Sequence, residues 1–240
     1  MLALLYGVVS YFAFLVTFIY AIGFVGDMFF PKTIDSGTSG SLGQSFFIDA
    51  LLLGLFAIPH SLMARSGFKR WWTRIIPQVI ERSTYVLISS LLLAILFWQW
   101  QPIPHVIWEV RNPSGRVVLQ LIFWLGWAIV VISTFLISHF DLFGLRQVYL
   151  HEAGKPAGEP DFRTPGLYKI VRHPLMSGFI IAFWATPRMT LGHLLFAVST
   201  TIYILIALQF EERDLVRVHG SAYESYRERV SMLLPLPKNR

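Results

Sequence analysis

Two short polar runs hold the residue types that cofactor chemistry needs. Tyr168-Lys169-Ile170-Val171-Arg172-His173-Pro174 enters one apolar stretch, and Glu211-Glu212-Arg213-Asp214 leaves another. Proline suits a first helical position, because its missing N–H would be an orphan donor there anyway. Arg172 and His173 then stand at a helix mouth whose open N–H groups favour an anion. Glu211 and Glu212 add carboxylates for hydroxyls or an ammonium group. Cation, imidazole, carboxylate and backbone donors around one cleft suit a zwitterionic cofactor with hydroxyls. A plain ion pair between Arg172 and Glu211 at a membrane boundary uses the same residues.

A third group lies inside an apolar segment, where every ionisable side chain is costly and so a candidate for function. It comprises Asp49, His60 after Pro59, and Arg65. Asp49 and His60 are eleven residues apart, about three helical turns, and share one helix face. Pro59 loosens the helix beside His60 and frees a carbonyl. On the alternative reading Asp49 lies near the outer interface and Arg65 snorkels to the inner one. His139 stands at an inner boundary, His193 near an outer one as a structural residue, and His105 and His151 fall in loops. The histidines make no His-x-x-x-His pair, so no metal is expected. A Gly-rich phosphate loop and a Gly-x-Ser-x-Gly elbow are absent.

The elements that position these groups are membrane helices. Of 240 residues, 55% are hydrophobic and 14% charged, against about 25% charged in soluble domains. The absence of cysteine excludes disulfides, thiolate-bound metal and a cysteine nucleophile. The net charge of +6 reads as basic loops against anionic lipid, not as a nucleic-acid surface.

A span takes about 20 apolar residues. Four full spans are expected from Leu2 to Val25, Ser45 to Ala64, Thr84 to Trp100 and Val117 to Phe140. The last apolar region breaks at Ala185-Thr186-Pro187-Arg188 into a helical hairpin. Its first arm, Pro174 to Thr186, is about 20 Å long and short for a crossing. Its second arm, Thr190 to Phe210, spans. With the N-terminus inside, sixteen of the 20 Lys and Arg residues fall inside and four outside, the expected bias for both termini on the cytoplasmic side of a bacterial membrane. The tail from Val216 to Arg240, with Tyr223 and Tyr226, reads as an amphipathic helix on the inner face, closed by Pro235 and Pro237. The fold class is all-α, a polytopic helical bundle with a cytoplasmic cofactor cleft. It forms one membrane domain, with spans over 1–140 and the cofactor-binding half over 141–240.

The run Arg172-His173-Pro174-x-x-x-Gly178, followed by Glu211-Glu212, resembles the S-adenosylmethionine-binding half of the isoprenylcysteine carboxyl methyltransferases. Their usual Tyr two after the Pro is Met176 here. Phe56-Ala57-Ile58-Pro59-His60-Ser61 and Glu81-Arg82-Ser83-Thr84-Tyr85 look like the NnrU-like branch. Within it, Phe140-Asp141-Leu142-Phe143-Gly144, Phe183-Trp184-Ala185-Thr186-Pro187 and Gly192-His193-Leu194 look like the methanethiol S-methyltransferase family.

The resemblance implies S-adenosyl-L-methionine as methyl donor and methanethiol as acceptor, with dimethyl sulfide as product. An alkyl thiol is mostly protonated at neutral pH, so a base or cation near the sulfur is expected. His60 is the candidate base, Arg65 the stabiliser of the thiolate, and Asp49 the residue that orients His60. Arg172, His173, Pro174, Gly178, Glu211 and Glu212 carry over as cofactor residues, with Gln147, Tyr149, Tyr168, Val171 and Tyr203 added by proximity. Other readings on the same scaffold are another small thiol, a lipid or a prenylated acceptor, a non-catalytic NnrU-like accessory protein binding haem, and a sterol-reductase-like NADPH enzyme.

Overall fold

A computed structural model describes residues 1–156 and 162–236. Pro237, Lys238 and Arg240, which enter the tail and charge readings, lie outside the described residues. Five helices among the described residues are long and apolar enough to cross a membrane. They belong to α1 (Leu2–Val25), α2 (Leu42–Ala64), α4 (Glu81–Gln99, preceded by a 3-10 turn at Gln78–Ile80), α5 (Pro113–Ile137) and α9 (Leu191–His219). Shorter helices complete the chain: α3 (Ser66–Trp72), α6 (His139–Leu142), α7 (Leu145–Glu152), α8 (Pro174–Trp184) and α10 (Ser221–Arg229). This is the all-α membrane bundle with a short apolar arm that hydropathy implies. In hydrocarbon a backbone N–H has no water to bond, so a spanning segment satisfies itself as a helix. Leu5, Phe12 and Ile19 on α1 and Val117, Leu121 and Trp124 on α5 stay exposed, as lipid-facing residues do.

The helix starts follow local rules. Ser41 Oγ accepts from the Gln44 N–H, and Asn112 Oδ1 accepts from the Gly115 N–H at 3.1 Å with Pro113 at the first position. α2 ends at Ala64 as expected, stays helical through Pro59, and has Arg65 as its extended C-terminal cap. Two features depart from the sequence reading. α9 continues to His219, so Glu211 to Asp214 lie within a helix instead of leaving one. The breaks after α4 and α8 contain strands β1 (Val106–Glu109) and β2 (Arg188–Thr190), too short to register as a period-two pattern.

The described chain groups into two compact units that do not follow chain order. The first comprises Met1–Val106, His139–Glu159 and Thr190–His193. In it α1 packs on α4 and α7, and α2 packs on α4. The Pro/Gly/Ser/Thr-rich segment after α1 folds over the end of α4. Lys32 Nζ donates to the Trp100 carbonyl at 2.6 Å, and the buried Trp100 indole donates to the Ile34 carbonyl at 3.1 Å.

The second unit comprises Ile107–Ser138, Pro160–Met189 and Leu194–Arg240. Its main seam joins α5 to α8. Lipid is as apolar as leucine, so such seams depend on close packing, and small residues permit it. A Cβ on Gly178 would lie 2.7 Å from the Gly126 carbonyl oxygen, and one on Gly126 would lie 2.7 Å from the Ala182 nitrogen. The neighbours are backbone and cannot swing aside. Gly178→Ala is therefore expected to cost about 1–3 kcal/mol, the usual range for overpacking. Unfolding midpoints in detergent check this. Gly54→Ala, where an added Cβ meets nothing within 4 Å, should leave the midpoint unchanged or raise it.

Candidate functional site

The second unit builds a buried ion cluster where α8 begins. Arg172 is the hub. Its Nε donates to Glu212 Oε1 at 2.6 Å. Its Nη1 donates to the Arg227 carbonyl at 3.1 Å and the Val230 carbonyl at 2.5 Å. Those carbonyls belong to the last turn and cap of α10, which lack helical partners and carry the negative end of the helix dipole. His173 Nε2 lies 3.1 Å from the same Glu212 oxygen, and His173 Nδ1 lies 3.9 Å from Glu211 Oε1. One buried carboxylate thus serves a guanidinium and an imidazole.

The chain after α10 runs back along this cluster. Val171 bridges to Ser231 in parallel. The Arg172 N–H donates to the Ser231 carbonyl at 2.8 Å and the His173 N–H to the Met232 carbonyl at 3.1 Å. Ser177 Oγ donates to the Leu233 carbonyl at 2.7 Å. The N–H groups of Arg172 and His173, expected to meet an anionic ligand, are taken by the tail instead. The aromatic stripe of the tail helix faces protein. Tyr223 and Tyr226, three apart on α10, are both buried with Phe162 against their rings. Tyr226 donates to the Tyr168 carbonyl at 2.5 Å, and burial pushes its phenol up to about 12.

The remaining candidates of this unit divide by role. Adjacent helix residues point about 100° apart, and the two glutamates separate accordingly. The Glu212 side chain is 11% exposed and the Glu211 side chain 50%. Pro174 is the buried first residue of α8. Gly178 faces α5 and acts in packing, because a ligand has no room where a Cβ would strike Gly126. Tyr168 is buried, its hydroxyl directed at the Ser133 carbonyl 3.5 Å away. Tyr203 is half-buried two turns before Glu211 on α9. Beside the cluster opens a cleft of about 400 Å³ lined by Arg172, Gln209, Glu212, Arg227, Glu228 and Met232. Small-molecule sites run from about 300 to 1,000 Å³. The sequence reading missed Arg227, Glu228 and Met232 as lining residues, and only the cross-chain docking of the tail brings them in. Gln209 carries a local signal, being three residues before Glu212 and so on one helix face.

The first unit holds the other candidates. His60 Nε2 lies 2.7 Å from the Tyr85 hydroxyl of α4, and the Phe56 ring one turn earlier lies tilted against the imidazole, centroids 5.0 Å apart. Tyr85, a residue given no role from sequence, has the Arg82 guanidinium over its ring at 5.9 Å. Arg65 is half-buried at the cap of α2. Asp49 is 0% exposed and accepts from the Gln101 N–H at 2.8 Å. An unbroken helix separates it from His60 by about 16 Å. Asp49 therefore cannot orient His60 by contact; sharing a helix face is not proximity along it. On α7, Gln147 donates to Asp141 Oδ1 at 2.8 Å, and its own buried Oε1 has no hydrogen-bond partner among the described residues. Tyr149 is exposed. His139 Nε2 lies 2.7 Å from the Tyr11 hydroxyl, and partial burial lowers the affinity of His139 for a proton.

No family model matches the chain. No solved structure matches it. Among curated proteins, the methanethiol S-methyltransferase of Mycobacterium tuberculosis is 59% identical over 236 residues, covering 98% of this chain and 97% of that protein. The methanethiol S-methyltransferase of Crocosphaera subtropica is 56% identical over 232 residues, covering 97% and 91%. Nurim of Bos taurus is 30% identical over 175 residues, covering 70% and 66%.

Proposed function

Since the chain belongs to the methanethiol S-methyltransferase family, we propose that it moves a methyl group from S-adenosylmethionine to methanethiol within the membrane. Dimethyl sulfide leaves as product. The observation that carries the donor assignment is the cleft beside Arg172 and Glu212. It combines cations, carboxylates and an amide with the apolar Met232, a donor set that fits a zwitterionic amino acid joined to a ribose. Glu211, half exposed at the same cluster, is the carboxylate assigned to the cofactor's hydroxyl or ammonium groups. Glu212 and Arg172 hold the tail against α8 and shape the cleft. When bound, the donor supplies an electrophilic methyl group on a sulfonium. Charge would be neutralised in such a transfer, so residues that keep water from the site would favour it.

The chain's own task on the acceptor side is a proton. Methanethiol must give one up to become a nucleophile, and the reaction releases one overall. His60 takes it, supported by its hydrogen bond to Tyr85, and Arg65 stabilises the thiolate. This division rests on the cost of placing an imidazole in an apolar span. Both termini lie on the cytoplasmic face of a bacterial membrane in this reading, which the excess of Lys and Arg in those segments supports. Purified protein given S-adenosylmethionine and methanethiol should release dimethyl sulfide into the headspace, one per S-adenosylhomocysteine formed. Donor binding without dimethyl sulfide would overturn the acceptor while leaving a methyltransferase.

A further inference from the structure

The link from Arg65 to Pro77 joins the ends of two membrane spans, so it lies at the bilayer surface. With the first residues of α4 it carries Arg65, Lys69, Arg70, Arg74 and Arg82 against a single carboxylate, Glu81. The helix α3 and the turn after it arrange the link into two neighbouring stripes. Arg70 and Arg74, one turn apart, are both exposed, and so are Trp71 and Ile75 beside them. Phe68, Trp71 and Trp72 gather their rings, with centroids 5.3 to 5.7 Å apart. Lys69 is half-buried, and Arg82 is near enough for the two cations to repel. Burial and Arg82 lower the hold of Lys69 on its proton, and Glu81 offsets them only in part. From this arrangement we infer that Lys69 and Arg82 hold the phosphate of an anionic phospholipid, which rests on the aromatic face of α3. The inference concerns a partner and stands apart from the reading of the methyl-transfer site.

Charge, depth and apolar surface all favour a lipid here. Two like charges repel more strongly as water is excluded, so a half-buried cation pair is stabilised by an anion that joins it. The link itself supplies one carboxylate against five cations. A lipid phosphate lies at the depth of the link, where basic residues next to a span attract anionic headgroups. Indole rings settle at the same level. A soluble anion would meet the cations and gain nothing from the exposed Trp71 and Ile75, whereas a lipid covers both with the upper part of its chains. The site also adjoins the helix pair that carries His60. Arg82 stands over the Tyr85 ring at 5.9 Å, and the Tyr85 hydroxyl lies 2.7 Å from His60 Nε2.

Native mass spectrometry of the full chain tests this with phosphatidylglycerol and phosphatidylcholine of identical acyl chains. Each cation near an anionic headgroup is worth about fivefold in affinity, so wild-type protein should bind its first phosphatidylglycerol about 25-fold more tightly than phosphatidylcholine. Lys69→Gln combined with Arg82→Gln should weaken phosphatidylglycerol by about that factor and change phosphatidylcholine less than about threefold, so the preference collapses. Arg116→Gln combined with Arg188→Gln removes the same charge from exposed positions of the second unit and should keep the wild-type preference. Trp71→Ala should weaken both lipids alike. Lys69→Arg combined with Arg82→Lys keeps both charges and should keep the preference, which decides the matter if the Gln pair does not fold. A preference undiminished in the Gln pair, equal losses for both lipids in it, loss of preference in the charge-keeping pair, or no preference in wild type overturns the inference. Displacement of bound phosphatidylglycerol by inorganic phosphate at equal concentration would assign the cations to a soluble anion and overturn it too.

Discussion

Arg172→Ala is expected to cost about 3–5 kcal/mol of stability, the range for removing one partner of a buried ion pair. The reason is what it leaves behind. Glu212 keeps only the imidazole of His173, and the carbonyls of Arg227 and Val230 lose their donor at the end of α10. With the hub gone, the parallel strap at Ser231 and Met232 has less to hold it, and the tail separates from α8. Arg172→Lys should rescue poorly, because one ammonium cannot reach a carboxylate through one edge and two carbonyls through another. Glu212→Gln should be milder than Arg172→Ala, since an amide still accepts from Arg172 Nε. Proteolysis near Val230 in detergent, read beside the unfolding midpoint, checks the order. Cleavage of Arg172→Ala no faster than wild type, with an unchanged midpoint, would reduce the cluster to a surface ion pair.

That cluster shows how much the chain announces and where it stops. Hydropathy alone places the membrane helices, and Pro187 places the break in the last region. The pairing of the Arg172 run with the Glu211 run is legible too, because a hairpin must return its ends to one level. Which glutamate is buried is not legible from the pair, since both types are equal and only helix rotation tells them apart. The tail escapes for a related reason. Tyr223 and Tyr226 form an apolar stripe, and a stripe looks alike whether lipid or protein covers it. The partners that cover it, Phe162 and the Tyr168 carbonyl, lie more than fifty residues away in sequence. Asp49 fails differently. Helical periodicity fixes its face correctly, but its partner is the Gln101 N–H beyond α4, a contact no local pattern encodes. Gly178 matches a ligand-binding motif by spacing, and its closest constraint is the backbone of α5.

His60→Ala is expected to lower the rate of dimethyl sulfide formation about 10²–10⁴-fold near neutral pH, the usual contribution of a positioned base. The thiol must lose its proton before or as it attacks, and even cysteine, more acidic than a simple alkyl thiol, ionises only around pH 8.5. A missing base therefore matters most where the thiolate is scarce. As pH rises past that value, solution thiolate replaces the base and the deficit of His60→Ala should shrink. This pH dependence separates a base from a packing residue, because a cavity left by a lost imidazole costs the same at every pH. Tyr85→Phe supplies the companion test. It keeps the ring under Arg82 and removes only the hydroxyl that lies 2.7 Å from His60 Nε2. If that bond orients the imidazole, the variant should lose rate without losing donor affinity, and its loss should also fade at alkaline pH. A flat deficit across pH in both variants would assign the pair to helix packing between α2 and α4, and the proton would have to leave by another group. Asp49→Asn bears on the same point from a distance: about 16 Å of helix stands between Asp49 and His60. It should alter the anchoring at Gln101 and leave the shape of the pH profile as it was.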